Sequence, residues 1–122
     1  ASRYYREGLR FESENRLQLI STPKEFMAGY VYILTSEKSG HCYVGSTIDP
    51  ERRLTQHNNG EVRATRGKGP WLIAKQIEFQ TSTDARRAEN YLKKQKSRKV
   101  IDAVIAGIFQ WPQPYNTTAQ VL

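Results

Sequence analysis

The sequence predicts an α+β domain in which a small, mainly antiparallel sheet of three strands is flanked by helices, in the order β-β-α-β-α-α. Three observations predict this class. Two β-branched and aromatic runs stand either side of a five-residue polar turn, a third run alternates, and helix start signals precede the remaining periodic segments. At 122 residues, the chain is long enough for one domain that buries a hydrophobic core.

The first two strands are predicted as a hairpin formed by residues 30–35 and 41–46, with residues 36–40 as the turn. Tyr32 and Tyr43 are equidistant from a turn centred between Glu37 and Lys38. Because residues equidistant from the turn share a face of an antiparallel pair, we expect both phenols to project from the same side of the sheet.

The third element is predicted as a short helix. Asp49 has the chemistry of an N-cap, Pro50 fits the first helical position, and the run at residues 58–60 is a stop signal. A loop rich in Arg, Lys and Gly leads to residue 70. The segment that follows alternates and is predicted as the third strand. Its expected apolar face consists of Trp71, Ile73, Ile77 and Phe79.

Two further helices complete the predicted order. The first begins at Thr81 with an approximate capping box to Asp84, and Ser97 breaks or caps the chain after it. The second is amphipathic and ends near Gly107. The expected buried stripe of the first is Ala85, Ala88, Tyr91, Leu92 and Gln95. The apolar residues of the second are Val100, Ile101, Val104, Ile105 and Ile108.

The chain divides into three predicted regions. Residues 1–26 are charged and weakly periodic, and we expect an extension or linker; residues 27–109 are the folded domain, and residues 110–122 are a tail with two prolines and no period. We find no secretion signal and no apolar stretch that could span a bilayer. The single cysteine fits a reducing compartment, so we expect an intracellular protein without membrane contact.

Positive charge is concentrated in one part of the chain. Residues 52–99 carry 13 basic and 4 acidic groups, and the whole chain has a net charge of +7. This distribution predicts a surface that binds a polyanion such as nucleic acid, the alternative being a solvated basic face. The expected contacts to the nucleic-acid backbone are Arg63, Arg66, Lys68, Arg86, Lys93 and Lys96.

Four side chains from neighbouring predicted elements have the chemistry of a phosphate site. Arg53 and His57 are four residues apart and share a helical face, next to the strands that carry Tyr32 and Tyr43. Taken singly, Tyr32 is explained as a cross-strand packing residue and His57 as a helix-terminal group that interacts with the dipole. Together, two phenols, a guanidinium and an imidazole are suited to bind and activate a phosphodiester.

These residues carry a resemblance to a known family. The segment Tyr30-Val31-Tyr32 followed by Tyr43-Val44-Gly45 resembles the paired tripeptides of the GIY-YIG nuclease superfamily, although Tyr30 stands at the name-giving glycine. Arg53 and His57 follow Tyr43 by ten and fourteen residues, which is the family spacing. Glu89 matches the family's metal-binding glutamate. The resemblance covers about residues 29–99, and is to small single-domain members and the structure-specific repair branch.

The resemblance implies a metal-dependent DNA endonuclease with structure-directed or loosely sequence-specific cleavage. It implies Tyr43 as the base or water activator, Arg53 on the phosphate, and Tyr32 and His57 in orientation and proton transfer. Glu89 would hold one Mg²⁺ or Mn²⁺. Branched, flapped or duplex DNA is the implied substrate; the oligomeric state and a protein partner for targeting are left open.

Other interpretations lead to different chemistry. Glu89 is four residues before Lys93, so it is also explained as an ordinary helix ion pair. A nucleic-acid-binding module with the nuclease fold, either non-catalytic or activated by a partner, is the main alternative function. A cysteine hydrolase that pairs Cys42 with His41 or His57 is disfavoured, because Cys42 faces away from its strand neighbours. One cysteine and two histidines lack the ligand set of a zinc site.

Overall fold

A computed structural model describes residue 23, residues 26–112 and residue 115. The predicted extension and the end of the predicted tail lie outside the described residues, apart from residues 23, 26 and 115. The strands are β1 (Gly29–Ser36), β2 (Cys42–Thr47) and β3 (Trp71–Phe79), and the helices are α1 (Pro50–Asn58), α2 (Ser82–Gln95) and α3 (Arg98–Ala106). The predicted class and element order are confirmed. Across the described residues, no helix is long and apolar enough to cross a membrane.

Within the described residues, the three strands form one antiparallel sheet in the order β2-β1-β3, and β2 lies at an edge of it. Tyr32 pairs with Gly45, and Leu34 pairs with Tyr43. The turn is therefore centred one residue later than predicted, and the pairing register differs by two residues. Because side chains alternate with a period of two, this even shift keeps Tyr32 and Tyr43 on the same face.

The predicted single apolar face of β3 is wrong. Ile33 pairs with Lys75 whereas Leu34 pairs with Ile73, so β3 contains one extra residue at this point. An extra residue reverses the alternation on the bulged strand. Trp71 and Ile73 consequently pack on the face of Tyr32, and Ile77 and Phe79 pack on the opposite face.

The sheet separates two apolar clusters of different size. The large cluster covers one face with α2 and α3 and contains Val31, Ile33, Phe79, Ala85, Ala88, Leu92, Ile101 and Val104. The small cluster lies under α1 and contains Tyr32, Leu34 and Trp71, with Tyr43, Leu54 and Ile73 against it. Cys42 packs against the large cluster, on the opposite face from Tyr43, as predicted. Among the described residues, the face with the two tyrosines is therefore covered by one short helix and the loop that follows it.

The three helices begin at the predicted caps. The side chain of Asp49 accepts the N–H of Arg52 at 3.2 Å, and that of Thr81 accepts the N–H of Asp84 at 3.1 Å. Ser97 caps α3 in the same way. Side-chain acceptors at these positions satisfy backbone donors that the first turn leaves unpaired.

Two residues of the predicted buried stripes are exposed. Gln95 is exposed at the last position of α2, and Ile108 is 70% exposed. Gly107 ends α3 with a φ of +80°, so Ile108 lies beyond the helix and no longer follows its period. The predicted burial of both residues was wrong: Ile108 lies beyond the end of α3, and Gln95 is a polar residue in the exposed last turn of α2.

Side-chain hydrogen bonds join the end of α1 to the start of β3. The amide of Asn58 donates to the carbonyl of Trp71 at 3.1 Å, and its oxygen accepts the Trp71 N–H at 2.8 Å. These two bonds close the loop at residues 59–70, here called the basic loop, against the sheet. The loop therefore returns to the face that carries Tyr32 and Tyr43.

Candidate active site

A buried chain of polar side chains runs beneath α1. The hydroxyl of Tyr32 lies 2.8 Å from Nε2 of His57, and Nδ1 of His57 lies 2.7 Å from Oγ1 of Thr65. Each of these three residues is 1% exposed. The chain thus links β1, α1 and the basic loop through groups that solvent does not reach.

The partners at each end determine the direction of these hydrogen bonds. Nε of Arg53 donates to the Tyr32 oxygen at 3.4 Å, so the Tyr32 hydroxyl proton is available to His57. Nε2 then accepts, Nδ1 carries the imidazole proton and donates to Thr65, and Thr65 donates to the carbonyl of Val62 at 3.4 Å. This assignment satisfies every hydroxyl and ring nitrogen in the chain with neutral Tyr32 and His57.

Burial keeps both aromatic residues neutral. It is the main cause that raises the pKa of the Tyr32 phenol well above its usual value, and nearby Tyr43 and Glu89 act in the same direction while Arg53 opposes them. Burial, helped by the charge of Arg53, lowers the pKa of His57 to about 4. His57 is therefore a neutral imidazole at physiological pH.

The lowered pKa predicts a pH-dependent stability. His57 has an unfolded pKa of 6.5 and a folded pKa of about 4, so between these values the unfolded chain binds a proton that the folded chain does not. The free energy of unfolding is expected to fall by about 3 kcal/mol as the pH drops through this window. Urea unfolding at a series of pH values measures it. The dependence of the free energy of unfolding on pH should diminish in His57→Gln and persist in His41→Gln. Equal pH dependence in the two variants would refute the prediction.

Tyr43 lies beside this series of hydrogen-bonded side chains but is not bonded to it. Its ring centroid is 6.4 Å from that of Tyr32 and 4.9 Å from that of His57. Its hydroxyl forms no hydrogen bond with any part of the chain that the structure describes. Both His57 nitrogens are bonded to Tyr32 and Thr65, so proton transfer from Tyr43 to His57 requires one of those bonds to change.

Arg53 is held in place by two neighbours. Nη1 donates to the side-chain oxygen of Gln56 at 2.8 Å, and Nε contacts Tyr32 as described above. These bonds use two of the five guanidinium N–H donors. Arg53 is half-buried, and its remaining donors have no partner among the described residues. A pre-positioned guanidinium with spare donors is suited to bind a phosphate through two oxygens.

Glu89 reaches the site from the other face of the sheet. It projects from α2 toward β2, where Ser46 donates to Oε1 at 2.6 Å and Lys93 contacts Oε2 at 2.6 Å. Nζ of Lys93 also lies 5.5 Å from the ring centroid of Tyr43. The helix ion pair, one of the two alternatives for Glu89, is therefore present. The same ammonium connects the carboxylate to the tyrosine face across the β2 edge.

The carboxylate of Glu89 has the donor chemistry that a hard divalent cation prefers, although Lys93 occupies Oε2 in this structure. A carboxylate is a preferred ligand of such ions, and the Glu89 side chain is 15% exposed. Among the described residues, no cluster of three or more His, Cys, Asp or Glu side chains is able to hold a metal. A cation at Glu89 would therefore need water and phosphate oxygens as its remaining ligands.

Gly45 makes room for Tyr32. A Cβ at this position would lie 2.5 Å from Cζ of Tyr32 and even closer to its hydroxyl. Gly45→Ala is therefore expected to displace the ring, break the bond to His57 and destabilise the domain by about 1–3 kcal/mol. Thermal unfolding measures the stability, and a crystal structure of the variant would show the ring. Unchanged stability with an intact Tyr32–His57 bond would contradict this prediction.

The six expected DNA-contacting residues are all exposed. Arg63, Arg66 and Lys68 lie in the basic loop, which Thr65 joins to the site and which Trp71 fixes by donating from Nε1 to the Thr65 carbonyl at 3.2 Å. Arg86 and Lys93 lie on α2, and Lys96 follows it with a φ of 48°. The three loop residues are thus tied to the site through their own backbone.

Three residues of the site were not found from the sequence. Gln56 follows Arg53 by three residues on one helix, a spacing that identifies it as a neighbour. Thr65 and Ser46 have no such signal, since their bonds to His57 and Glu89 join residues that are 8 and 43 positions apart.

Comparison with known proteins identifies the class. Residues 28–101 match the family model of the GIY-YIG catalytic domain, the domain class of phosphodiester-hydrolysing nucleases. The chain belongs to the GIY-YIG family, as predicted. It is 34% identical to a UPF0213 protein of Nitratidesulfovibrio vulgaris over 90 residues, which are 66% of this chain and 81% of that protein.

Two further relatives show the range of similarity. A structure-specific endonuclease subunit SLX1 homolog of Drosophila melanogaster is 46% identical over 52 residues, 35% of this chain and 18% of that protein. The chain thus spans less than a fifth of the length of such relatives. The solution NMR structure of the UPF0213 protein BH0048 from Bacillus halodurans has a TM-score of 0.42 at 33% identity, covering 73% of this chain and 90% of that one.

Proposed function

We propose that this chain is a divalent-metal-dependent DNA endonuclease that hydrolyses phosphodiester bonds. The observation that carries the proposal is the convergence at the β2 edge of a phenol without a hydrogen-bond partner in the described chain, a positioned guanidinium and a reachable carboxylate. The residues of this site, here called the edge site, are Tyr32, Tyr43, Arg53, His57 and Glu89. Family membership supports this chemistry.

Tyr43 is the proposed base or water activator. Its hydroxyl forms no internal hydrogen bond, so it is available to a water that attacks phosphorus. A free phenol has a pKa of about 10, and such a group acts best as a base when its proton can be passed on. His57 is the neighbouring group proposed to receive this proton, because its imidazole is neutral. Since burial also makes His57 a weak base and both of its ring nitrogens are bonded, the transfer requires its bond to Tyr32 or Thr65 to change when substrate binds. Tyr32 holds His57 and Arg53 in position through its hydroxyl.

Arg53 is proposed to bind the scissile phosphate. Its planar, permanently charged group spreads positive charge over the equatorial oxygens, where negative charge must be stabilised during displacement. Gln56 and Tyr32 hold the guanidinium from one side. The phosphate would approach from the exposed side, next to Tyr43.

Glu89 is proposed to hold one Mg²⁺ or Mn²⁺ together with water and DNA phosphate. Such an ion supplies Lewis-acid stabilisation of the departing oxygen. Because one carboxylate alone gives weak binding, we expect metal and DNA to bind together.

The proposed substrate is DNA recognised by shape more than by sequence. The exposed cations of the basic loop are suited to phosphate contacts, which give affinity without base selection. The name of the SLX1 relatives, structure-specific endonuclease subunit, supports branched or flapped DNA and a partner protein as candidates. An intracellular location belongs to the same proposal.

Nicking of supercoiled plasmid at low salt tests the function. The parent chain is expected to nick with Mg²⁺ or Mn²⁺ and not with EDTA, and Tyr43→Phe is expected to be about a hundredfold slower. Tyr91→Phe is the control, since Tyr91 packs in an aromatic cluster against Phe109 and Tyr115. If all three proteins bind DNA and none cuts plasmid or branched DNA, the alternative of a binding or partner-activated module is favoured.

A further inference from the structure

The carboxylate that the proposed function assigns to a metal already has a cation of the chain on it. Lys93 places its ammonium 2.6 Å from Oε2 of Glu89, and Ser46 donates to Oε1 at 2.6 Å. Both carboxylate oxygens are therefore occupied. A divalent ion would bind a carboxylate oxygen at about 2.1 Å, so at Oε2 it would come close to the like-charged ammonium.

This pair differs from an ordinary surface ion pair of the same spacing. Arg98 and Asp102 on α3 lie 3.0 Å apart with side chains 58% and 60% exposed. Glu89 is only 15% exposed, whereas Lys93 is 47% exposed. A half-exposed lysine on a flexible stem can leave, but a largely covered carboxylate must keep a counter-charge.

Lys93 also lies near a second proposed partner, the phosphate. Its Nζ lies 5.5 Å from the ring centroid of Tyr43, the residue next to which the proposed scissile phosphate would bind. A phosphate oxygen next to Tyr43 is thus within reach of a small rotation of the lysine side chain. Lysine binds phosphate as a mobile point charge.

We propose that Lys93 is an exchangeable counter-ion of Glu89. In the DNA-free protein it neutralises the carboxylate and competes with the metal; when DNA binds, it moves to a phosphate and leaves Oε2 to the divalent ion. Lys93 is then a positioning residue that makes metal binding depend on substrate. This inference rests on the proposed function and adds to it the order in which the two ligands bind.

Mn²⁺ titration of the DNA-free chain by calorimetry tests the competition. Lys93→Met is expected to bind Mn²⁺ roughly tenfold more tightly than the parent. Lys94→Met is the matched control, because it removes the same charge from the adjacent exposed position and is expected to change the affinity less than twofold. Glu89→Gln is expected to abolish binding. Equal affinity in the parent, Lys93→Met and Lys94→Met, or no binding by any of them, would overturn the proposal.

The exchange is tested by a second Mn²⁺ titration, in the presence of saturating duplex DNA, with Tyr43→Phe as the background to limit cutting. Free Mn²⁺ is measured by electron paramagnetic resonance. With DNA bound, Lys93→Met and Lys94→Met are expected to have equal Mn²⁺ affinities, because the phosphate has already drawn Lys93 away from Glu89 in the Lys94→Met variant. An advantage that persists with DNA would refute the exchange.

The outcomes separate this inference from the nuclease proposal. Metal-dependent nicking by the parent, combined with identical Mn²⁺ affinities of the two lysine variants, would leave the nuclease standing and refute the role of Lys93. Tighter Mn²⁺ binding by Lys93→Met, combined with no nicking by the parent, would support the competition between lysine and metal and count against the nuclease.

Discussion

Arg53→Ala is expected to lower the rate of plasmid nicking about a thousandfold, a loss typical for an arginine that stabilises charge in phosphoryl transfer. The reason is geometric as well as electrostatic. Gln56 and Tyr32 hold the guanidinium before substrate arrives, so its binding to phosphate needs little further ordering. Arg53→Lys keeps the charge but loses the planar pair of donors, and most of the loss should remain.

Single-turnover nicking with saturating protein separates this effect from DNA affinity. Arg52→Ala removes the same charge from the neighbouring, exposed position of α1 and serves as the control. We expect it to weaken DNA binding slightly and to nick at nearly the parent rate when saturated. Equal losses in both variants would show that Arg53 contributes only general positive charge.

Glu89→Gln is expected to remove metal-dependent nicking, with a loss on the order of a thousandfold or more. An amide keeps the shape and the hydrogen bond from Ser46, but it lacks the charge that attracts a divalent ion and Lys93. Glu89→Asp retains the charge on a shorter stem, so part of the activity should return at higher Mn²⁺. Nicking rates over a metal titration measure both effects.

The control for charge is Glu37→Gln, which alters an exposed carboxylate in the hairpin turn. We expect its nicking rate and metal dependence to match the parent. If Glu89→Gln cuts like the parent with the same metal requirement, the ion is held elsewhere and the assignment of Glu89 is wrong.

Local signals in the sequence were sufficient for the elements. Asp49, Thr81 and Ser97 were recognised as caps or breaks because side-chain capping acts within a few residues. The family motif and its spacing brought Tyr43, Arg53 and His57 together, since a hairpin followed directly by a helix leaves little freedom in their arrangement. The shared face of Tyr32 and Tyr43 survived a register error because that error was an even number of residues.

Non-local contacts were beyond such reasoning. The extra residue in β3 reversed a face that alternation alone had assigned, because strand pairing with β1 and not the pattern determines where a bulge forms. The bond of His57 to Thr65 likewise depends on how the basic loop returns to the sheet. Together with the bonds from Arg53 to Tyr32 and from Thr65 to Val62, it decides which imidazole nitrogen carries the proton.

By itself, the sequence determined the fold class, the basic segment and the identities of the candidate groups, because these follow from composition, period and spacing and, for Glu89, from the resemblance to the family. Only the tertiary structure decided how those groups are engaged. It buried Tyr32 and His57 as a neutral pair, left the Tyr43 hydroxyl without a partner among the described residues, and placed Lys93 between Glu89 and the Tyr43 ring. The physical reason is that desolvation and charge pairing depend on the distances between elements, which no local pattern encodes.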